Sequence, residues 1–388
     1  MNKFTFYPVG QGLFYVGQLN YDQSKDSGNR FCFIYDCGSE SRNLYLEKAI
    51  DCFVGETKNI DLCVISHLHR DHYNGLSLLK EKGIFIKNIL LPYLPKAQNY
   101  SALKLVYIVG QYCYKYEKNT YDNRDIKNLG LMLNLYGIPM NSDEHASGFH
   151  DTRVRFLENI DKTDVKTETQ FLISKDEFSA QNTYWVYELY NKTLTEKKWQ
   201  DFNLKLKEYL DKKHLDINDV FMLFPQNIKE LVEMYKAVFG ANFNATSIIM
   251  RHYSPGKTCG YYPADTTPFN SFIVTHSLNN MVAFEKRNKN ISVLTGDAEF
   301  DDYLNSKVFE NSSSISVLQI PHHGAKTNWN KVSLPDDMEC KMVASFGLGN
   351  QYSHPSPSVV EDILKMDDCE FVSVNQSEQY EYWIESRK

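Results

Sequence analysis

Between Asp61 and Gly75 the chain reads DLCVISHLHRDHYNG, placing His67, His69, Asp71 and His72 within six residues of a sequence that holds eleven histidines in all. Imidazoles and carboxylates gathered this densely are metal ligands by type. Two histidines two residues apart in an extended turn face the same way. The Asp71-His72 pair then reaches the other side of the same cavity, which suits two cations. Three later stretches offer the same chemistry. Ile291 to Leu294 runs into Thr295-Gly296-Asp297 and supplies one carboxylate. Ile315 to Ile320 runs into Pro321-His322-His323-Gly324-Ala325-Lys326. Strand alternation points the two imidazoles apart, so one of His322 and His323 should bind metal while the other supports it or touches substrate. Met342 to Phe346 runs into a glycine-rich turn ending in Asn350-Gln351-Tyr352-Ser353-His354-Pro355. His354 is there an active-site candidate, as a ligand or as a proton donor to a leaving group.

The elements that must position these side chains are legible as short apolar runs. Leu62 to Ile65 is a buried strand stopping in the first cluster, and Tyr73 to Leu79 starts a helix beneath it. Phe4 to Tyr7, Leu13 to Leu19 and Phe31 to Tyr35 read as strands, the last stopping at Asp36-Cys37-Gly38, before a helix at Arg42 to Phe53. Ile84 to Leu91 adds another strand. Ser101 to Tyr116 is apolar at helical spacing, and Leu129 to Leu135 looks like a helix stopped at Gly137. From 141 to 242 the texture changes to charge-rich stretches and amphipathic patterns at Trp199 to Lys213 and Ile228 to Phe239. No ligand cluster occurs there, so the segment reads as an insertion that borders or covers the cavity and can receive a protein partner. Tyr184, Trp185, Tyr187 and Tyr190 within it suit ordinary strand packing or stacking on a base. Strands resume at Ala245 to Arg251, Ser271 to Thr275 and Met281 to Glu285, and Glu370 to Val374 with Tyr380 to Ile384 finish the sheet.

Composition bounds the rest. A chain of 388 residues with 42% hydrophobic side chains can bury a sizeable core as one large domain with an insertion. A formal net charge of −7 argues against broad capture of duplex nucleic acid, which needs a basic surface. Two divalent cations would reverse that sign locally and admit a phosphate-containing substrate. Eight cysteines stand singly, without a C-x-x-C pair, as expected of a reducing, cytoplasmic compartment. No apolar run approaches the length of a membrane span and no leader pattern opens the chain, so no membrane partner is expected. Ser254-Pro255-Gly256-Lys257-Thr258 lacks the first glycine of a P-loop, and no G-x-S-x-G elbow or dinucleotide fingerprint occurs.

The stretch HLHRDH resembles the H-x-H-x-D-H signature of the metallo-β-lactamase fold hydrolases. VGQG followed by YDCG, the PHHGA element and the final Ser353-His354-Pro355 resemble the ComEC-type branch, the hydrolase-like domain attached to DNA-uptake channels. Ala325 departs from the serine of that branch and leaves Lys326 and Thr327 beside the turn. The resemblance implies an α/β fold, a four-layer αββα sandwich with a mainly helical insertion. Residues 1–140 and 243–388 would be its halves and 141–242 the insertion. It implies two divalent metal ions, Zn²⁺ foremost and Mn²⁺ or Fe²⁺ as alternatives, with Asp297 bridging. His67, His69 and Asp297 would form one site, and Asp71, His72, Asp297 and one of His322 or His323 the other. Asp71 and His354 would serve catalysis, and Lys326 and Asn350 would bind substrate. A further histidine found in many members has no clear counterpart among His145, His150, His214, His252 and His276. His252, which follows a strand, is the leading outsider. The implied activity is a phosphodiesterase or nuclease acting through a metal-bridging hydroxide on nucleic acid or a nucleotide-derived substrate. An ester, lactone or β-lactam hydrolase is the alternative chemistry, and a non-catalytic, metal-stabilised sensor the alternative class.

Overall fold

The computed structural model of the chain describes residues 2–19, 31–67, 69–86, 88–91, 134–137, 149–153, 170–174, 183–192, 196–214, 247–254, 259–263, 267–268, 290–299, 308–331 and 334–386, with single positions between 230 and 244. The fold is mixed α/β and contains a nine-stranded and an eight-stranded sheet. In the first sheet the order is Cys259–Pro263, Glu378–Ser386, Asn2–Phe6, Phe14–Leu19, Phe31–Cys37, Leu62–Val64, Asn88–Leu91 and Asn134–Gly137. Its early and final strands pair antiparallel, with Phe4 opposite both Tyr382 and Gly17. From Phe31–Cys37 onward the pairing turns parallel. The second sheet runs Gln170–Ser174, Thr183–Lys192, Ile248–Tyr253, Ile291–Leu294, Ile315–Gln319, Lys341–Ser345 and Glu370–Val374, with its last four strands parallel.

Alternation decides which face of each strand enters the core. In Asn2–Phe6, Phe4 and Phe6 point toward the second sheet, while Lys3 points away and pairs with Glu56 at 2.9 Å and Glu381 at 3.1 Å. Phe4, Tyr15, Phe33 and Tyr382 of the first sheet share one cluster with Trp185, Tyr187, Met250 and Val317 of the second. Each such buried side chain contributes about 1.5–3 kcal/mol of transfer free energy. Two of the described helices pack outside that shared cluster. Leu46, Ala49, Ile50 and Phe53 recur at helical spacing along Asn43–Val54, and Phe53 packs edge-on against Phe14 with ring centroids 5.6 Å apart. Val359 and Ile363 of the Pro357–Leu364 helix join a second cluster with Leu318 and Met342.

Two expectations change here. Asn134–Gly137, read as the end of a helix, is an edge strand paired in parallel with Asn88–Leu91, because a short apolar run is ambiguous until its neighbour is known. The 141–242 stretch, expected to be mainly helical, contributes strands at Phe149–Arg153, Gln170–Ser174 and Thr183–Lys192 as well as the helix Glu196–Lys213. Trp185 and Tyr187 lie fully inside the inter-sheet core, so packing is their role and base stacking is not. The helix expected at Ser101 to Tyr116 and the strands at Ser271 to Thr275 and Met281 to Glu285 lie outside the described residues. Among the described residues no disulfide forms and Cys32, Cys37 and Cys63 are buried thiols; no helix is long and apolar enough to cross a membrane.

Candidate metal centre

Parallel strands carry their C-terminal ends to one edge of a sheet, and it is from those ends that the ligand loops depart. Leu62–Val64 leads to His67, Ile291–Leu294 to Asp297, Ile315–Gln319 to His323, and Lys341–Ser345 to the turn before His354. The two edges meet where Ile248 N–H donates to the Ser66 carbonyl at 2.8 Å and the Tyr35 hydroxyl donates to the Ile248 carbonyl. Gly296 sits at that seam with φ +55°, and a Cβ there would lie 2.7 Å from Ser66 Cβ, which is why a glycine precedes the aspartate.

Around the seam the described residues form two sets of ligands. His67, His69 and Asp297 make one, and Asp71, His72 and His323 the other, with the ligand atoms of each set within 4.8 Å of one another. His67 Nε2 is 3.0 Å from His69 Nδ1 and 3.4 Å from Asp297 Oδ2. His323 Nε2 is 3.0 Å from Asp71 Oδ2. Asp297 faces both sets with separate oxygens, since its Oδ1 lies 3.2 Å from His72 Nε2. The His72 Nε2 and Asp297 Oδ1 atoms are buried and complete no hydrogen bond with good geometry. Buried polar atoms left in this way fit cation ligands. The donor set of imidazoles and carboxylates, without thiolate, fits Zn²⁺, Mn²⁺ or Fe²⁺ alike.

His322 and His323 both enter the centre, contrary to the alternation argument. Their backbones are left-handed, with φ +48° and +55°, so neither continues the strand that precedes them. His322 Nε2 lies 3.5 Å from Asp297 Oδ2, on the side of the first set, while its Nδ1 is 2.8 Å from Asn328 Oδ1. His323 Nδ1 donates to the Ser345 carbonyl at 2.7 Å, which leaves Nε2 for Asp71. Gly324 follows at φ +84°, and a Cβ there would meet Pro355 Cβ at 2.6 Å.

The charges are arranged to hold the acids ionised. Burial alone would raise the carboxyls of Asp71 and Asp297, but His72 beside both, with His323 at Asp71 and His67 at Asp297, brings them below the usual range. Burial opposes protonation of His72, and the carboxylates of Asp297, Asp36 and Asp71 overcome it and raise its value. His67 moves the other way, to about 3, through burial and the neighbouring His72. His354 is half-buried with its ring 5.2 Å from that of His322, and burial together with the flanking histidines lowers it to about 4.

Several supports were not visible as motifs. Asp36, at φ +59°, accepts from Ser66 N–H and Ser66 Oγ at 2.6 Å each and from His72 Nδ1 at 2.7 Å. Gln319 Oε1 accepts from the backbone of Thr295 and Gly296 at 2.8 Å each, while its Nε2 donates to the Gly296 and Ile320 carbonyls, so one amide braces two ligand loops. A polar residue closing an apolar strand was the available signal in both cases. Asn350, expected to bind substrate, spends its side chain on its own loop, donating to Gly347 and His354 carbonyls at 2.8 and 2.6 Å. Lys326 is exposed at the exit of the histidine turn. His252 is buried in the inter-sheet core with Nε2 2.8 Å from the Tyr15 hydroxyl, and it belongs to neither ligand set. His150 lies in a strand opposite Asn191, His214 follows the Glu196–Lys213 helix, and His145 and His276 lie outside the described residues.

No family model and no curated protein matches the chain. Among solved structures, a long-form RNase Z from yeast aligns over 97% of this chain and 41% of its own, with a TM-score of 0.37 and 9% sequence identity. The chain therefore spans less than half the length of that protein.

Proposed function

We propose that the chain is a binuclear metal-dependent hydrolase of the metallo-β-lactamase type that cleaves phosphodiester bonds in nucleic acid or a nucleotide-derived substrate, with the two sheets and their outer helices forming the four-layer αββα sandwich. The observation that carries this reading is the placement of Asp297 between two ligand sets, one oxygen toward each. The motif resemblance to the ComEC-type branch supports the choice of a phosphodiester over a carboxyl substrate.

When bound, a pair of divalent cations supplies an activated water and a positive environment for charge developing on the attacked group. His67, His69 and Asp297 would hold one cation, and Asp71, His72, His323 and Asp297 the other. The assignment leaves His322 at the first cation's side, as a further ligand or a contact to substrate. Asp36 and Ser66 fix the orientation of His72, and the Ser345 carbonyl fixes His323, so the imidazoles are aimed before substrate arrives. His354, held by the Asn350-braced loop beside His322, is the group we place against the leaving-group oxygen. Lys326 stands outside the histidine turn, where its ammonium would attract the phosphate chain.

Metal analysis of the purified protein, followed by turnover of bis-p-nitrophenyl phosphate against a panel of lactones and β-lactams, tests this reading. Two metal equivalents and phosphodiester turnover are expected. Hydrolysis of carboxyl substrates alone would remove the phosphodiester assignment.

A further inference from the structure

Resting on the phosphodiester reading, we propose that a cavity beside the metal centre seats one unstacked base of a single-stranded nucleic acid, next to the bond that is cut. The cavity, of about 620 Å³, lies between the start of the Asn43–Val54 helix and the turn Gly347 to Tyr352. That volume falls in the range of small-molecule sites, about 300–1,000 Å³. Tyr45, Tyr352 and Arg42 are among the residues that line it. Aromatic and guanidinium planes are the surfaces on which proteins stack bases taken out of a strand.

The surface chemistry points the same way. Tyr352 is 47% exposed and Leu348 56%, an unusual outlay of apolar surface inside a concave wall. Arg42 is balanced by Glu40, whose Oε2 accepts from the Tyr352 hydroxyl at 2.8 Å. A lining of nearly neutral charge fits a flat, hydrogen-bonding ring better than a second phosphate. The walls are also pre-formed. Gln376 accepts from Leu348 N–H at 2.8 Å and Gln11 Oε1 from Gly347 N–H at 3.2 Å, which fixes the turn before a ligand enters.

The cavity connects to the centre through rings in sequence. Tyr352 stacks on His354 at 5.8 Å and 28°, and His354 lies 5.2 Å from His322. A phosphodiester held at the ligand sets would therefore send its neighbouring nucleoside past His354 onto Tyr352. A base inside a duplex is paired and stacked and has no such freedom, so the substrate is a single strand or a frayed end.

The test uses the full-length protein and fluorescein-labelled thymidine and uridine pentamers with cleavage-resistant phosphorothioate links, intact or carrying one abasic residue moved through each position. Read by anisotropy, the abasic residue weakens binding about tenfold at one position and little elsewhere. Tyr352→Ala causes the same loss on the intact strand and adds nothing on the strand lacking that base, whereas Tyr352→Phe keeps the parent's discrimination. Either sugar satisfies the proposal. A loss spread evenly over all positions, or a Tyr352→Ala penalty that ignores the base, overturns it. Turnover of bis-p-nitrophenyl phosphate by the same preparation separates the two readings. Turnover without a positional base effect removes the base seat alone; a positional effect without turnover leaves the seat and removes the hydrolase.

Discussion

A carboxylate whose two oxygens serve different ligand sets cannot lose one charge without affecting both, and Asp297 is that residue here. Asp297→Asn is expected to release at least one metal equivalent, counted by elemental analysis, and to lower phosphodiester turnover by more than the roughly 10–100-fold typical of an outer partner. Asp36→Asn, which removes only the carboxylate behind His72, should weaken metal affinity by about 10–100-fold in a chelator competition while leaving the fold intact. His252 carries a different prediction. Burial lowers it to about 3 from the ordinary 6.5, so between those values the unfolded chain holds more protons than the folded one. Stability from this group is therefore complete above about pH 6.5 and falls as the medium is acidified toward 3, by up to about 1.4 kcal/mol per pH unit. The His252→Phe chain should show a shallower loss in urea unfolding between neutral and acid pH. At this scale His67, His69, Asp71 and His72 were legible as candidates because several ligand types fell at close spacing behind an apolar strand, and Asp297 because a buried strand ends in it and the motif resemblance singles it out. Asp36 and Gln319 were not, since each is a lone polar residue whose partners lie in other elements.

The elements were read well wherever period and punctuation agreed. A strand that runs directly into candidate ligands is a local pattern; three such units were found from sequence, and a fourth strand leads through a glycine-rich turn to His354. What the sequence hid was the handedness of the histidine turn, because left-handed backbone at His322 and His323 is enforced by contacts from Ser345, Asn328 and Asp71. Such positions each cost on the order of 1–3 kcal/mol and persist only when their surroundings hold them. Gly324 is the release in that turn, and Gly324→Ala combines a left-handed backbone with a Cβ 2.6 Å from Pro355. We expect it to lower stability by about 1–3 kcal/mol in thermal unfolding and to reduce turnover further, since both His323 and His354 adjoin the contact.

For the molecule as a whole, the element that changes the picture most is Thr183–Lys192, which lies within the 141–242 stretch expected to border or cover the cavity. That strand stands between Gln170–Ser174 and Ile248–Tyr253 in the second sheet and puts Trp185, Tyr187 and Leu189 into the shared core. Its aromatic residues were legible as strand packing, but it carries no ligands, so its central place between two other strands was not. Trp185→Ala should cost about 3–5 kcal/mol, measured by denaturant unfolding, and excision of the segment should leave no cooperative transition. The division of ligands between sheets has its own outcome. His67, His69, Asp71 and His72 hang from one sheet and Asp297 and His323 from the other, so bound cations would rivet two halves that otherwise meet at that edge through packing and a few hydrogen bonds such as Ile248 N–H to the Ser66 carbonyl. Titrating the ions away with a chelator should then register as an earlier melting of the entire molecule, by an amount that tracks free cation concentration and reaches about 2.7 kcal/mol at a hundredfold excess over the dissociation constant.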